Sequence, residues 1–289
     1  MNTKLGLALR SKRLVLLLTV SALTAANAED RFFVSNGVSL RYVIEGQGAP
    51  VVLIHGLTLD VESQWNEAGI MKALAKGYQV VAFDCRGHGK SDKPHEAAAY
   101  GMEMVEDVRR LLDELHITKA HLVGYSLGGS VALKFLATHP ERCLSVVFAE
   151  GAVYHEGYDF SDEEKAARST AAVSDPTQVM PKPPPETPTD VVRQRDAWVA
   201  MPHDFKAYAA AFQSLSALKV ANAELRTNRV TTLGLFCQAD SRTEYLTKHM
   251  SNFKTGLLGG SHRDAFLRPE FTAQVKEFLD AQRDRKKKP

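Results

Sequence analysis

Gly124-Tyr125-Ser126-Leu127-Gly128 sets a serine between glycines at G-x-S-x-G spacing. An apolar run, His121-Leu122-Val123, precedes it, and a helix-like stretch from Ser130 to Thr138 follows. A serine on such a strand-to-helix corner stands clear of the backbone and can act as a nucleophile. Its neighbours must be small, because the corner is strained and the chain passes close to itself. Gly129 adds a further small residue where the new helix meets the strands. Serine also needs a base to take its proton and an acid to orient that base. In elbow enzymes these follow in the order serine, acid, histidine.

Two later segments supply that order. A strand-like run ends at Cys237 and is followed by Gln238-Ala239-Asp240, which puts Asp240 on a loop where a carboxylate can point into a site. Leu257-Leu258-Gly259-Gly260-Ser261-His262 then gives a strand, small residues and a histidine on the next loop. We expect His262 to deprotonate Ser126 and Asp240 to fix the histidine tautomer. Glu150, at the end of the run Ser145 to Phe148, is the rival acid. Asp264 is too near His262 in sequence to orient it and reads as structural. For the oxyanion, the Leu127 amide follows the nucleophile, and the Leu57 amide lies in His55-Gly56-Leu57 after another apolar run. His55 reads as a hydrogen-bonded structural histidine.

These groups need a scaffold of buried strands. Phe32-Phe33-Val34 and Val38 to Ile44 flank Asn36-Gly37, a hairpin signal. Val51 to Ile54, Tyr78 to Phe83, His121 to Val123, Ser145 to Phe148, Val230 to Phe236 and Phe253 to Leu258 are further strand-like runs, and the continuous apolar ones suit burial on both faces. Between them, Met104, Val108, Leu111, Leu112 and Leu115 share one helical face, as do Phe271, Val275, Phe278 and Leu279. Alternating strand and helix predicts an α/β fold with a mostly parallel sheet covered by helices on both faces.

Residues 154–225 break the rhythm. They hold no buried strand, a proline-rich piece (Pro176, Pro181, Pro183, Pro184, Pro185, Pro188) and a stripe at helical spacing, Phe205, Tyr208, Phe212 and Leu215. The segment reads as an inserted cap, with 29–153 and 226–289 forming the core. The stripe is expected to pack on the core; lining a substrate pocket is the alternative for it and for Trp198.

Residues 1–28 read as an export signal. Lys4, Arg10, Lys12 and Arg13 precede the apolar stretch Leu14 to Val20, and Ala26-Asn27-Ala28 is a small-residue cleavage site. The apolar stretch falls short of the roughly 20 residues needed to span a bilayer. Cleavage after Ala28 would remove four positive charges and no negative ones, taking the net charge from +2 to −2. So neutral a chain gives no electrostatic case for nucleic acid. Cys85, Cys143 and Cys237 lack metal-site spacing and read as buried thiols.

With His55-Gly56, Asp84-Cys85-Arg86-Gly87-His88-Gly89-Lys90-Ser91, Gly124 to Gly129, Asp240 and His262, the chain resembles the α/β-hydrolase superfamily, in the branch with a cap inserted after the sixth strand. The resemblance implies an eight-stranded, mostly parallel sheet with the site at the strand ends. It makes Arg86 to Ser91 a structural turn and sets the three cysteines on non-adjacent positions, against a disulfide. Relatives that open epoxides or displace halide use aspartate at the nucleophile position, and Ser126 argues against both. The expectation is an exported serine hydrolase acting on a carboxylic ester, without cofactor or metal, its partner a small-molecule acyl substrate. Acyl transfer or perhydrolysis on the same residues, or a non-catalytic binding protein keeping the fold, are the alternatives.

Overall fold

The computed structural model describes residues 29–158, 185, 189–200 and 202–285. Residues 1–28, expected to be an export signal, the proline-rich stretch apart from Pro185, and the Trp198 side chain lie outside the described parts.

Eight strands form one sheet: β1 (Arg31–Ser35), β2 (Val38–Glu45), β3 (Ala49–Ile54), β4 (Tyr78–Phe83), β5 (Ala120–Tyr125), β6 (Cys143–Ala149), β7 (Thr232–Phe236) and β8 (Phe253–Leu257). Their order is β1-β2-β4-β3-β5-β6-β7-β8. β1 and β2 form the hairpin turned by Asn36 and Gly37, both at positive φ, and β2 runs antiparallel to β4. All other pairings are parallel. Every predicted strand is present.

Helices cover both faces, as two separate cores show. Val52, Ile54, Leu122, Val146 and Phe148 pack with α2 (Met102–Glu114) and α3 (Leu127–Thr138) on one side. Val51, Leu53, Val123 and Val147 pack with α1 (Ile70–Leu74) and α8 (Pro269–Arg285) on the other. Successive strand residues point to opposite faces, so a strand buried on both sides must be apolar throughout. The two edge strands, β1 and β8, are the exceptions, with Phe32, Val34 and Leu257 exposed.

From Glu150 to Thr231 the described residues add no strand to the sheet. They hold α4 (Thr189–Ala200), α5 (Phe205–Gln213) and α6 (Asn222–Thr227), before β7 and then α7 (Ser241–His249). The three cysteines are free thiols, Cys85 and Cys143 buried and Cys237 half-buried.

The Arg86 turn is structural, as the resemblance implied. Buried Arg86 donates to both Asp107 oxygens at 2.7 and 2.5 Å, tying the turn to α2. Buried His55 bonds the Gly56 carbonyl through Nδ1 at 2.8 Å and accepts the Cys85 amide on Nε2 at 2.9 Å. Both rings of the pair His55 and His88 stay neutral: burial lowers the affinity of His55 for a proton and takes His88 down to about 3.

Candidate active site

Ser126 joins β5 to α3 at φ 53 and ψ −116, outside the usual range of a residue with a side chain. The corner is held by its amide on the Ala149 carbonyl at 2.8 Å and by the Ser130 amide on its carbonyl at 3.1 Å. A methyl group on Gly124 would collide with the Gly128 carbonyl, and one on Gly128 with the Ile54 carbonyl. Both flanking glycines are therefore required by backbone contact.

His262 lies on the loop after β8, with Nε2 2.9 Å from Ser126 Oγ. Tyr125 fixes that loop by donating its hydroxyl to the His262 carbonyl at 2.6 Å. Asp264 has the structural part expected of it, accepting both the amide and the hydroxyl of Ser261 at 2.6 Å.

The acid facing the imidazole differs from the one expected. His262 Nδ1 meets Glu150 Oε2 at 3.0 Å. Asp240 instead caps α7, accepting the Arg242 amide at 2.9 Å, and pairs with the Arg242 guanidinium at 2.8 and 2.6 Å. The sheet register explains the difference. Ala149 pairs with Tyr125 on one side and Leu235 on the other, so Glu150 stands level with Ser126. Asp240 comes four residues after the end of β7, where the chain has already turned into a helix.

Glu150 sits at φ 51, a strained conformation that turns its carboxylate back across the strand ends. Burial raises its pKa, but the bonds from His262 and the Cys237 amide at 2.6 Å, with the charge of Arg242, outweigh that and hold it at about 2. An ionised carboxylate only accepts, so Nδ1 carries the imidazole hydrogen. Nε2 is then free to accept the serine proton. With Glu150 only 4% exposed and His262 51%, the acid is sequestered while the base stays open to water and substrate.

Leu57, Leu127 and Arg242 line the same cavity as Ser126, Glu150 and His262, of about 310 Å³. Gln64 accepts the Gly56 amide at 2.8 Å, and Gly56 packs against the Ser126 side chain. Among the described residues neither the Leu57 nor the Leu127 amide has an acceptor. The predicted aromatic stripe divides its duties. Tyr208 packs on His88 in the interior, whereas Phe212 and Leu215 line the cavity. The described residues hold no cluster of three or more metal-binding side chains, and none of their helices is long and apolar enough to cross a membrane.

Residues 49–242 match the profile of a family described as alpha/beta hydrolase fold. Among curated proteins, the dihydrolipoyllysine-residue acetyltransferase component of an acetoin cleaving system from Cupriavidus necator is 38% identical over 138 residues, covering 46% of this chain and 36% of that protein. The 2-hydroxy-6-oxo-6-(2'-aminophenyl)hexa-2,4-dienoic acid hydrolase of Metapseudomonas resinovorans is 34% identical over 150 residues, covering 46% of this chain and 50% of that one. The matches thus span between a third and a half of these relatives. The enol-lactonase of Burkholderia xenovorans LB400 superposes with a TM-score of 0.74 at 24% identity, over 86% of this chain and 100% of that one.

Proposed function

Because the chain belongs to the alpha/beta hydrolase fold family, we propose that it is a serine hydrolase cleaving carboxylic esters through an acyl-enzyme on Ser126. The observation that carries this reading is the unbroken chain of contacts from Ser126 Oγ through His262 to Glu150, 2.9 and 3.0 Å long.

In this mechanism Ser126 Oγ attacks the ester carbonyl while His262 Nε2 takes its proton. The Glu150 carboxylate stabilises the imidazolium, and the Leu57 and Leu127 amides receive the oxyanion. His262 then protonates the departing alkoxide, leaving the acyl group on Ser126. Water, deprotonated by the same nitrogen, attacks the acyl-enzyme and releases the acid. The exposure of His262 supports water as the acceptor.

Ester cleavage is placed before cleavage of an anionic substrate such as the dienoic acid named for the Metapseudomonas relative. The guanidinium in the cavity, Arg242, is already engaged by Asp240 and Glu150. The apolar lining from Leu57, Leu127, Phe212 and Leu215 favours a neutral, short acyl chain. Export with cleavage after Ala28 belongs to the same proposal, and N-terminal sequencing of protein from the producing cell should then begin at Glu29.

The test is a series of p-nitrophenyl esters of increasing acyl length. Turnover should be highest for the short acyl groups and fall by about 10⁶-fold in Ser126→Ala, whose melting curve should match the parent. Full turnover in that variant would remove the assignment.

A further inference from the structure

Arg242 was not among the expected site residues, yet it touches both carboxylates competing for the acid's part. Its Nε and Nη2 hold Asp240 Oδ2, its Nη2 lies 3.5 Å from Glu150 Oε1, and its Nη1 donates to the Gly151 carbonyl at 3.1 Å. The guanidinium also lies 5.0 Å from the centre of the Phe236 ring, which closes one side. Arg242 therefore grips the strained Glu150–Gly151 corner from behind, on the carboxylate oxygen that does not face His262. The N-terminal turn of α7 fixes the far end, because Asp240 caps the helix that carries Arg242.

We propose that Arg242 is a positioning residue of the active site: anchored by Asp240, it keeps Glu150 Oε2 on His262 and offsets part of the negative charge the imidazole feels. The inference rests on the serine-hydrolase reading above. It assigns Asp240 a new part, as the counter-anion that keeps Arg242 in place and leaves Glu150 alone on His262. A fork is needed here, since all three guanidinium nitrogens are engaged, between them reaching Asp240, Glu150 and Gly151.

Removing the cation leaves the imidazole facing more uncompensated negative charge, which favours its protonated, inactive form. Removing Asp240 does the opposite, because Arg242 then has only Glu150 to neutralise it. The acid limb of the kcat/KM profile should therefore move to higher pH in Arg242→Gln and to lower pH in Asp240→Asn. Each shift should be about half a pH unit or more. Arg242→Lys keeps the charge and should return the limb close to that of the parent, with a lower kcat because one ammonium cannot make the fork. In Arg242→Gln, kcat should fall by about 10- to 100-fold with little change in KM.

The experiment is the pH dependence of p-nitrophenyl acetate hydrolysis by the parent and these three variants, with fluorophosphonate labelling and melting curves on each. Opposite movements of the two limbs would support the assignment. Folded, labelled variants whose limbs coincide with the parent would overturn it. If Arg242→Gln fails to fold, Asp240→Asn decides alone: a downward shift supports the proposal and an unmoved limb refutes it. Parent protein that neither labels nor turns over would defeat the underlying reading, a separate outcome because no variant enters it.

Discussion

Glu150 reconciles two demands: its backbone must leave the sheet at positive φ, and its carboxylate must stay buried against an imidazole and the amide of Cys237. Glutamate has the reach to do so from a strand end level with the serine. Glu150→Gln should lower kcat by about 10³- to 10⁴-fold, because the amide no longer enforces the right histidine tautomer. Asp240→Asn should stay within about tenfold of the parent, since Asp240 acts through Arg242. Steady-state kinetics on the two variants checks both numbers, and reversed sensitivities would return the acid's part to Asp240. The stability contribution of Glu150 has a defined window too. Its folded pKa is depressed, so the contribution is complete above the ordinary value of 4.5 and is lost as pH falls toward about 2.

At the scale of elements, the elbow leaves no room for an added side chain at Gly124 or Gly128. A side chain on Gly124 would press on backbone of Gly128 and Gly129, which cannot rotate away. Gly124→Ala should cost about 3 kcal/mol or more, read as a lowered denaturant midpoint. These elements were largely legible in the sequence. Runs such as Val51 to Ile54 are apolar at every position because both faces are buried, and the G-x-S-x-G spacing marks a corner that few other residues could form. The identity of the acid was not legible. Glu150 and Asp240 both follow a strand and both lie between Ser126 and His262 in the chain, so order alone leaves them equivalent. What separates them is lateral: β6 lies beside β5, which aligns Glu150 with Ser126. One local signal was present, namely Arg242 two residues after Asp240, a cation placed to occupy that carboxylate. The Phe205 to Leu215 stripe was similarly ambiguous, since helical spacing gives a shared face but not what that face meets.

For the whole molecule, acid sensitivity should come partly from histidines buried behind the site. The His88 Nδ1 donates to the Arg86 carbonyl at 2.9 Å, and its Nε2 is buried with no hydrogen-bond partner among the described residues. Burial holds its folded pKa at about 3, below the ordinary 6.5, so the unfolded chain binds the extra proton between those values. Stability from keeping this ring neutral is therefore whole above 6.5 and declines as pH falls. Against His88→Gln, which has no such proton to bind, the parent should lose about 2 kcal/mol of relative stability between pH 7.5 and 5.0. Urea unfolding of both proteins at the two pH values measures the difference, and parallel curves would contradict it.

The relay through Ser126, His262 and Glu150 joins all three scales, because a strained corner, two strand ends and a distant loop must converge for it to work. Reaction with a fluorophosphonate followed by peptide mapping tests it most directly. One adduct is expected, on Ser126, forming about 10³-fold or more slowly in His262→Asn. An adduct on another residue, or labelling of Ser126 at an undiminished rate without the imidazole, would contradict it.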